Sequence, residues 1–142
     1  MSFDLKIENN DISVGQDGQM KVVFNNEKLI QDILKIIITP LGSNVFYKWY
    51  GSTLSTDLIG EVLDPFITES TIKRSIDQSL NSIISLQQTQ NTYQYVSPAE
   101  SLVSIKDISI ERSEEDPRIF NIYIAVLTRK LTELDINFQL RI

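Results

Sequence analysis

The chain has 142 residues, of which 42% are hydrophobic and 23% charged, amounts that suit one compact domain spanning 1–142 with a single core. Its net charge of -6 argues against a nucleic-acid partner or an anionic membrane as a general binding surface. It has no cysteine and no histidine, which removes disulfides, thiolate chemistry, and the commonest general base and zinc ligand.

The segment from Ser2 to Phe24 is strand-like. Phe3, Leu5 and Ile7 alternate with polar residues, Ile12 and Val14 continue the pattern, and Met20, Val22 and Phe24 resume it after Gln16-Asp17-Gly18. Asp-Gly between alternating runs predicts a β-hairpin turn there. A helix follows, with Asn25 or Asn26 as its cap and Leu29, Ile30, Ile33, Leu34 and Ile37 at helical spacing. Thr39-Pro40 stops it, because the residue before proline disfavours helix, and Gly42 is a turn residue.

Asn44 to Gly51 is an aromatic loop holding Phe46, Tyr47, Trp49 and Tyr50. It admits two readings, an exposed anchor at a protein interface or a segment folded back as core. Trp49 and Tyr50 lean toward core, and both readings stay open for Phe46 and Tyr47. A short helix is expected from Thr53 to Ile59, ended by Gly60. Pro65 marks another break. A longer helix fits Thr68 to about Leu86, with Ile72, Ile76, Leu80, Ile83 and Ile84 on one face and Thr68, Ser70 or Thr71 as its cap. The polar stretch from Gln87 to Ser101 reads as an exposed loop with Tyr93 and Tyr95 free to dock it.

The remainder is β. Val103 and Ile105 alternate, then Ile108 and Ile110 do so in the opposite phase, so a bulge is expected at Lys106-Asp107. Ser113 to Pro117 is an acidic turn, Phe120, Ile122, Ile124 and Val126 form the next strand, and Thr128 to Thr132 connects to the last. There Leu134, Ile136, Phe138, Leu140 and Ile142 alternate with Asp135, Asn137, Gln139 and Arg141, the pattern of a half-buried antiparallel strand. The predicted class is α+β, with an N-terminal β-hairpin, two main helices and a C-terminal antiparallel sheet.

Catalytic signatures are sparse. A Ser-His-Asp or Cys-His constellation is impossible here, and no glycine-rich phosphate loop is present. Glu114, Glu115 and Asp116 cluster beside Arg112 and Arg118, which reads better as a solvated turn than as a hard-cation site. Glu61, Asp64, Glu69 and Asp77 are the nearest approach to a glycosidase carboxylate pair, but their spacing does not place two across a cleft. No cofactor and no metal are expected. The start of the chain lacks the basic region and apolar run of a signal peptide, so folding in the compartment of synthesis is expected.

A family resemblance enters between Asn26 and Gly60. Asn26-Glu27-Lys28-Leu29-Ile30-Gln31-Asp32-Ile33 is similar to a first helix with a Gln-Asp-Ile element, and Thr39-Pro40-Leu41-Gly42-Ser43-Asn44 to the Thr-Pro-x-Gly-Ser-Asn turn that follows it. Trp49-Tyr50-Gly51-Ser52 and Leu58-Ile59-Gly60 match what comes next. In this order they resemble the lysozyme-like baseplate wedge family of myophages and related contractile injection systems. The family usually carries Glu-Pro-Arg after its long helix, where this chain has Leu86-Gln87-Gln88-Thr89-Gln90. Asp116-Pro117-Arg118 shares the spelling but lies between later strands, and the motif's role is not carried onto it.

The resemblance implies a structural virion protein of the tail baseplate, assembled in the host cytoplasm. It implies a fold similar to the inner domain of the tail sheath protein. The implied partners are the sheath protein and other baseplate wedge proteins, with multiple copies in the symmetric baseplate. The implied mechanism is initiation of the sheath by strand exchange. An alternating strand at a sheet edge suits that role, since unpaired N–H and C=O groups invite a partner strand. Ile136, Phe138, Leu140 and Ile142 are therefore candidate partner-binding residues, with Phe46 and Tyr47 as a second set. The rivals are a tail adaptor or terminator protein and a peptidoglycan-cleaving lysozyme.

Overall fold

The computed structural model describes residues 2–58 and 64–142. The chain opens with four short strands, β1 (Asp4–Leu5), β2 (Ile7–Glu8), β3 (Asp11–Ile12) and β4 (Val22–Val23). β1 pairs with β4 and β2 with β3, all antiparallel. The expected single hairpin is thus a folded-back meander with two turns. Asn9 and Asn10 make the tighter one, both at positive φ (52° and 64°), a conformation asparagine tolerates better than most residues. The Asp17-Gly18 turn is the second, closed by Gly15 N–H donating to Gln19 O at 2.8 Å. Alternation here does not mark a buried face. Phe3, Ile7, Ile12, Val14 and Met20 are all exposed, and Val23 is the one fully covered apolar side chain of the meander.

Helix α1 (Asn25–Ile38) follows and buries Leu29, Ile33, Ile36 and Ile37. Neither asparagine caps it. Asn25 instead takes a positive φ of 55° to turn the chain out of β4, and its Oδ1 accepts the Ser97 hydroxyl at 3.0 Å. At the other end Thr39 is extended before Pro40, as the sequence predicts.

Helix α2 (Leu54–Asp57) is a single turn. Helix α3 (Pro65–Gln90) is longer at both ends than its apolar pattern. It starts at Pro65, not at Thr68, because Asp64 accepts the Phe66 N–H at 2.9 Å and proline occupies the first helical position, where its missing N–H costs nothing. It runs a turn past Leu86, so part of the stretch expected as exposed loop is helical. The rest of that stretch is not uniformly exposed either: Val96, Glu100 and Ser101 are buried, while Tyr93 and Tyr95 are exposed.

Three long strands close the fold: β5 (Leu102–Arg112), β6 (Ile119–Thr128) and β7 (Glu133–Arg141), antiparallel in the order β5-β6-β7. The register slips between Ile105 and Asp107, at the predicted bulge, and again between Leu102 and Ser104. One sheet face carries Ile108, Phe120, Ile122, Ile124, Val126 and Ile136 into a common core with α1 and α3. The α+β class stands: N-terminal strand pairs, helices, then an antiparallel sheet.

Candidate interaction surfaces

Gln31 and Asp32 belong to a clamp that fastens the N-terminal strands to α1. The Gln31 amide donates to Asp4 Oδ2 at 2.9 Å and Leu5 O at 2.8 Å, and its Oε1 accepts the Ile7 N–H at 2.9 Å. Asp32 pairs with Lys28 at 2.5 Å and Lys35 at 3.4 Å, and Lys35 also bonds to Asp4. Burial alone would raise the Asp4 carboxyl, but the bonds from Lys35 and Gln31 outweigh it and hold its pKa below the ordinary 3.8. Burial would likewise lower Lys35, and Asp4 and Asp32 overcome it, holding Lys35 above 10.5.

A lowered carboxylate stabilises the fold above its unfolded value and loses that contribution as pH falls through the lower folded value. A raised lysine contributes below 10.5 and loses its share above the raised value. Both side chains are about a third exposed, so screening keeps the pair modest. Asp4→Asn should cost about 1 kcal/mol at neutral pH. Urea midpoints should show that gap closing as pH falls through the lowered folded value, and a gap unchanged in acid would refute the assignment.

Thr39, Pro40, Gly42, Trp49, Tyr50 and Gly51 build the second feature, a latched loop. Ser52 N–H donates to Thr39 O at 2.8 Å, Leu41 N–H to Ser52 O at 2.9 Å, and the Ser52 hydroxyl to Ile37 O at 2.5 Å. Ser79 of α3 donates to Gly51 O at 3.2 Å. Asn44 Oδ1 accepts the N–H groups of Phe46 and Tyr47, so the loop tip is also held. This polar frame turns its apolar side chains outward. Phe46 is 88% exposed and Val45 81%, and Tyr47 is also exposed. Trp49 is 47% exposed, against the expectation that it is core, while Tyr50 packs against the core as expected. Trp49 stands edge-on between Tyr47 and Tyr50, so its neighbours are aromatic rings of its own loop. Gly60 lies outside the described residues.

The third feature is β7. Among the described residues it pairs with β6 alone, so its other side is a free edge. Ile142 N–H donates to Arg118 O at 3.0 Å, which sets the alternation. Leu140, Phe138, Ile136 and Leu134 direct their backbone groups to β6. Asp135, Asn137, Gln139 and Arg141 direct theirs to the open edge. The candidate side chains face the helices: Ile136 is buried, and Phe138, Leu140 and Ile142 are packed partly against the core. Beneath the edge, Phe138, Leu140 and Ile142 line a groove of about 170 Å³ with Ile37, Ile38 and Leu54.

Among the described residues the candidate carboxylates Asp64, Glu69 and Asp77 all lie at the start of or along one helix, α3, which Asp64 caps. Glu61 lies outside the described residues. Asp116 accepts the Arg118 N–H at 2.9 Å within its own turn, and that backbone bond leads the causes holding its carboxyl below the usual range. Among the described residues no group of three metal-ligating side chains gathers. Sequence reasoning missed Glu100, the one fully buried carboxylate among the described residues at 1% exposure. Its Oε1 accepts the Ser2 hydroxyl at 2.7 Å and the Ser97 N–H at 3.2 Å, and it is sealed from any substrate. No apolar periodicity surrounds it, so nothing in the sequence flags it.

No protein-family model matches this chain, and no curated protein matches it. A solved structure does. A protein of Geobacter sulfurreducens described as a candidate tail lysozyme superposes with a TM-score of 0.59 over 82% of this chain and 89% of that one, at 14% identity. At that identity the likeness is one of fold: the chain has a tail-lysozyme-like α+β fold.

Proposed function

We propose that this chain is a structural baseplate wedge subunit of a contractile phage tail, and that it links the wedge to the sheath and starts sheath assembly by strand pairing. The observation that carries this reading is the free edge of β7, with backbone groups of Asp135, Asn137, Gln139 and Arg141 directed outward. The groove beneath that edge supports it. A partner strand draws affinity from main-chain bonds and specificity from side chains entering such a groove. The fold likeness to a protein described as a tail lysozyme and the motif resemblance point to the same setting. The mechanism is binding alone. Sheath protein is the partner at β7, wedge proteins bind elsewhere, and symmetry supplies many copies.

Deleting residues 136–142 would test the edge poorly, because Ile136 is core. Asn137→Pro is selective. Proline removes an N–H that points to the open edge and leaves the β6 ladder intact, and strand edges tolerate it. Co-sedimentation with the sheath protein of the same genome should be lost in this variant, while its urea midpoint shifts by no more than about 1 kcal/mol in equivalent stability. Undiminished pelleting of a folded Asn137→Pro protein would refute strand pairing at β7.

A further inference from the structure

The two outer strands of the sheet are built differently. Among the described residues β5 and β7 each pair with β6 alone. β5 is interrupted by two register shifts, and such bulges twist an edge away from a partner. β7 keeps an unbroken register from Glu133 to Arg141. It holds no proline, and its charged side chains lie on the exposed face and not toward the core. It therefore lacks the bulge, the proline and the inward charge that commonly guard an open edge.

The order of its side chains is self-complementary. Glu133, Asp135, Asn137, Gln139 and Arg141 are all exposed, and they run from acidic through neutral to basic. Among the described residues none of the three charged ones is in an ion pair. A second β7 laid antiparallel on this edge, with a two-fold axis at Asn137, sets Glu133 opposite Arg141, Asp135 opposite Gln139 and Asn137 opposite itself. Directly opposite residues of antiparallel strands share a face, so every pair is within reach. Gln139 gives one amide hydrogen to Asn121 Oδ1 at 3.0 Å and keeps the other for Asp135. On the core side Leu134 meets Leu140, and Ile136 meets Phe138. Symmetry repeats the Glu133–Arg141 pair, and no like charges meet.

Other arrangements do worse. Parallel pairing in register sets Glu133 on Glu133 and Arg141 on Arg141. An axis at Ile136 sets Glu133 against Gln139 and leaves Arg141 with no carboxylate opposite. An axis at Phe138 leaves Glu133 with no residue of the strand opposite.

We infer that the free chain pairs with a second copy of itself through β7, joining two three-stranded sheets into one of six strands across a two-fold axis at Asn137. This deepens the reading above and rests on its open β7 edge: the second copy caps that edge until the sheath strand displaces it. Assembly stops at two, because an isologous contact uses up the edge in both copies.

The test is the mass of the isolated chain by sedimentation equilibrium at low ionic strength. The parent should be a dimer. Glu133→Arg and Arg141→Glu each set like charges across the axis, twice per dimer, and each should weaken self-association by about tenfold or more. The two changes together should restore it. Within one chain these positions lie at opposite ends of β7, about 27 Å apart, so only pairing between copies explains a rescue. The chain has no cysteine, so Asn137→Cys gives a second reading. Opposed across the axis, the two thiols lie within disulfide range and should oxidise to a covalent dimer, while Gln139→Cys should not. The altered positions are all exposed, so urea midpoints should stay at the parent's. A monomeric parent, single reversals that dimerise as the parent does, or a double reversal as weak as the singles would each overturn the inference. Sheath pelleting of a chain that is monomeric at every concentration would leave the sheath reading standing. A rescued dimer that never pellets with sheath would overturn the sheath reading and leave self-pairing in place.

Discussion

Gly51→Ala is expected to unlatch the aromatic loop and to cost about 3–5 kcal/mol, a large share of the stability of a domain this size. Gly51 sits at φ +123°, outside the range that side-chain-bearing residues adopt comfortably. A Cβ there would lie 2.6 Å from Thr39 O and 2.9 Å from both Leu41 N and Pro40 C. All three are backbone atoms, so no side chain can swing aside. They are also the atoms around which the latch is built, since Thr39 O accepts the Ser52 N–H and Leu41 N–H donates to Ser52 O. Relieving the clash therefore breaks those bonds.

Gly42 is the control. Its φ of +82° is strained for alanine, but a Cβ there meets nothing within 4 Å. Gly42→Ala should cost only about 1 kcal/mol. Urea unfolding measures both, and Trp49, the only tryptophan, reports the loop directly through its emission. Equal costs for the two variants would refute the latch.

The latch shows what a sequence can and cannot disclose. Thr39-Pro40 as a helix stop and Gly42 as a turn residue were legible because proline and glycine restrict or free the backbone wherever they stand, whereas Gly51 was legible only as the end of the aromatic loop. The outward display of Trp49 was not. An aromatic residue satisfies a core and an interface equally well, and the choice depends on bonds from Asn44 and Ser52 that only the folded chain brings together. β7 was legible residue by residue, since a half-buried antiparallel strand must alternate with period two. Its position at the edge was not, because alternation says which face is buried and nothing about how many neighbours a strand has. The same limit holds for the N-terminal strands, whose alternating apolar residues are largely exposed. The ends of α3 escaped because polar residues set them: Asp64 caps one end, and Gln87 fastens the other.

That fastening supports the second large effect. Gln87→Leu is expected to destabilise the protein by about 2–5 kcal/mol, although it replaces a polar residue by an apolar one in a buried position. The Gln87 Nε2 donates to Glu100 O at 2.7 Å, and the Leu102 N–H donates to its Oε1 at 2.7 Å. One side chain thus satisfies two backbone groups where the chain enters β5. Leucine fills similar space but leaves both groups unpaired, and each costs about 1–3 kcal/mol to strand. Gln87→Glu separates the two bonds. Its carboxylate still accepts from Leu102 but sets an oxygen against Glu100 O, and only the protonated acid can donate there. The glutamate variant should therefore regain stability relative to the leucine variant as pH falls, a trend urea midpoints can follow. If leucine were tolerated, or if glutamate matched it at every pH, the amide would be filling space and not joining α3 to the sheet.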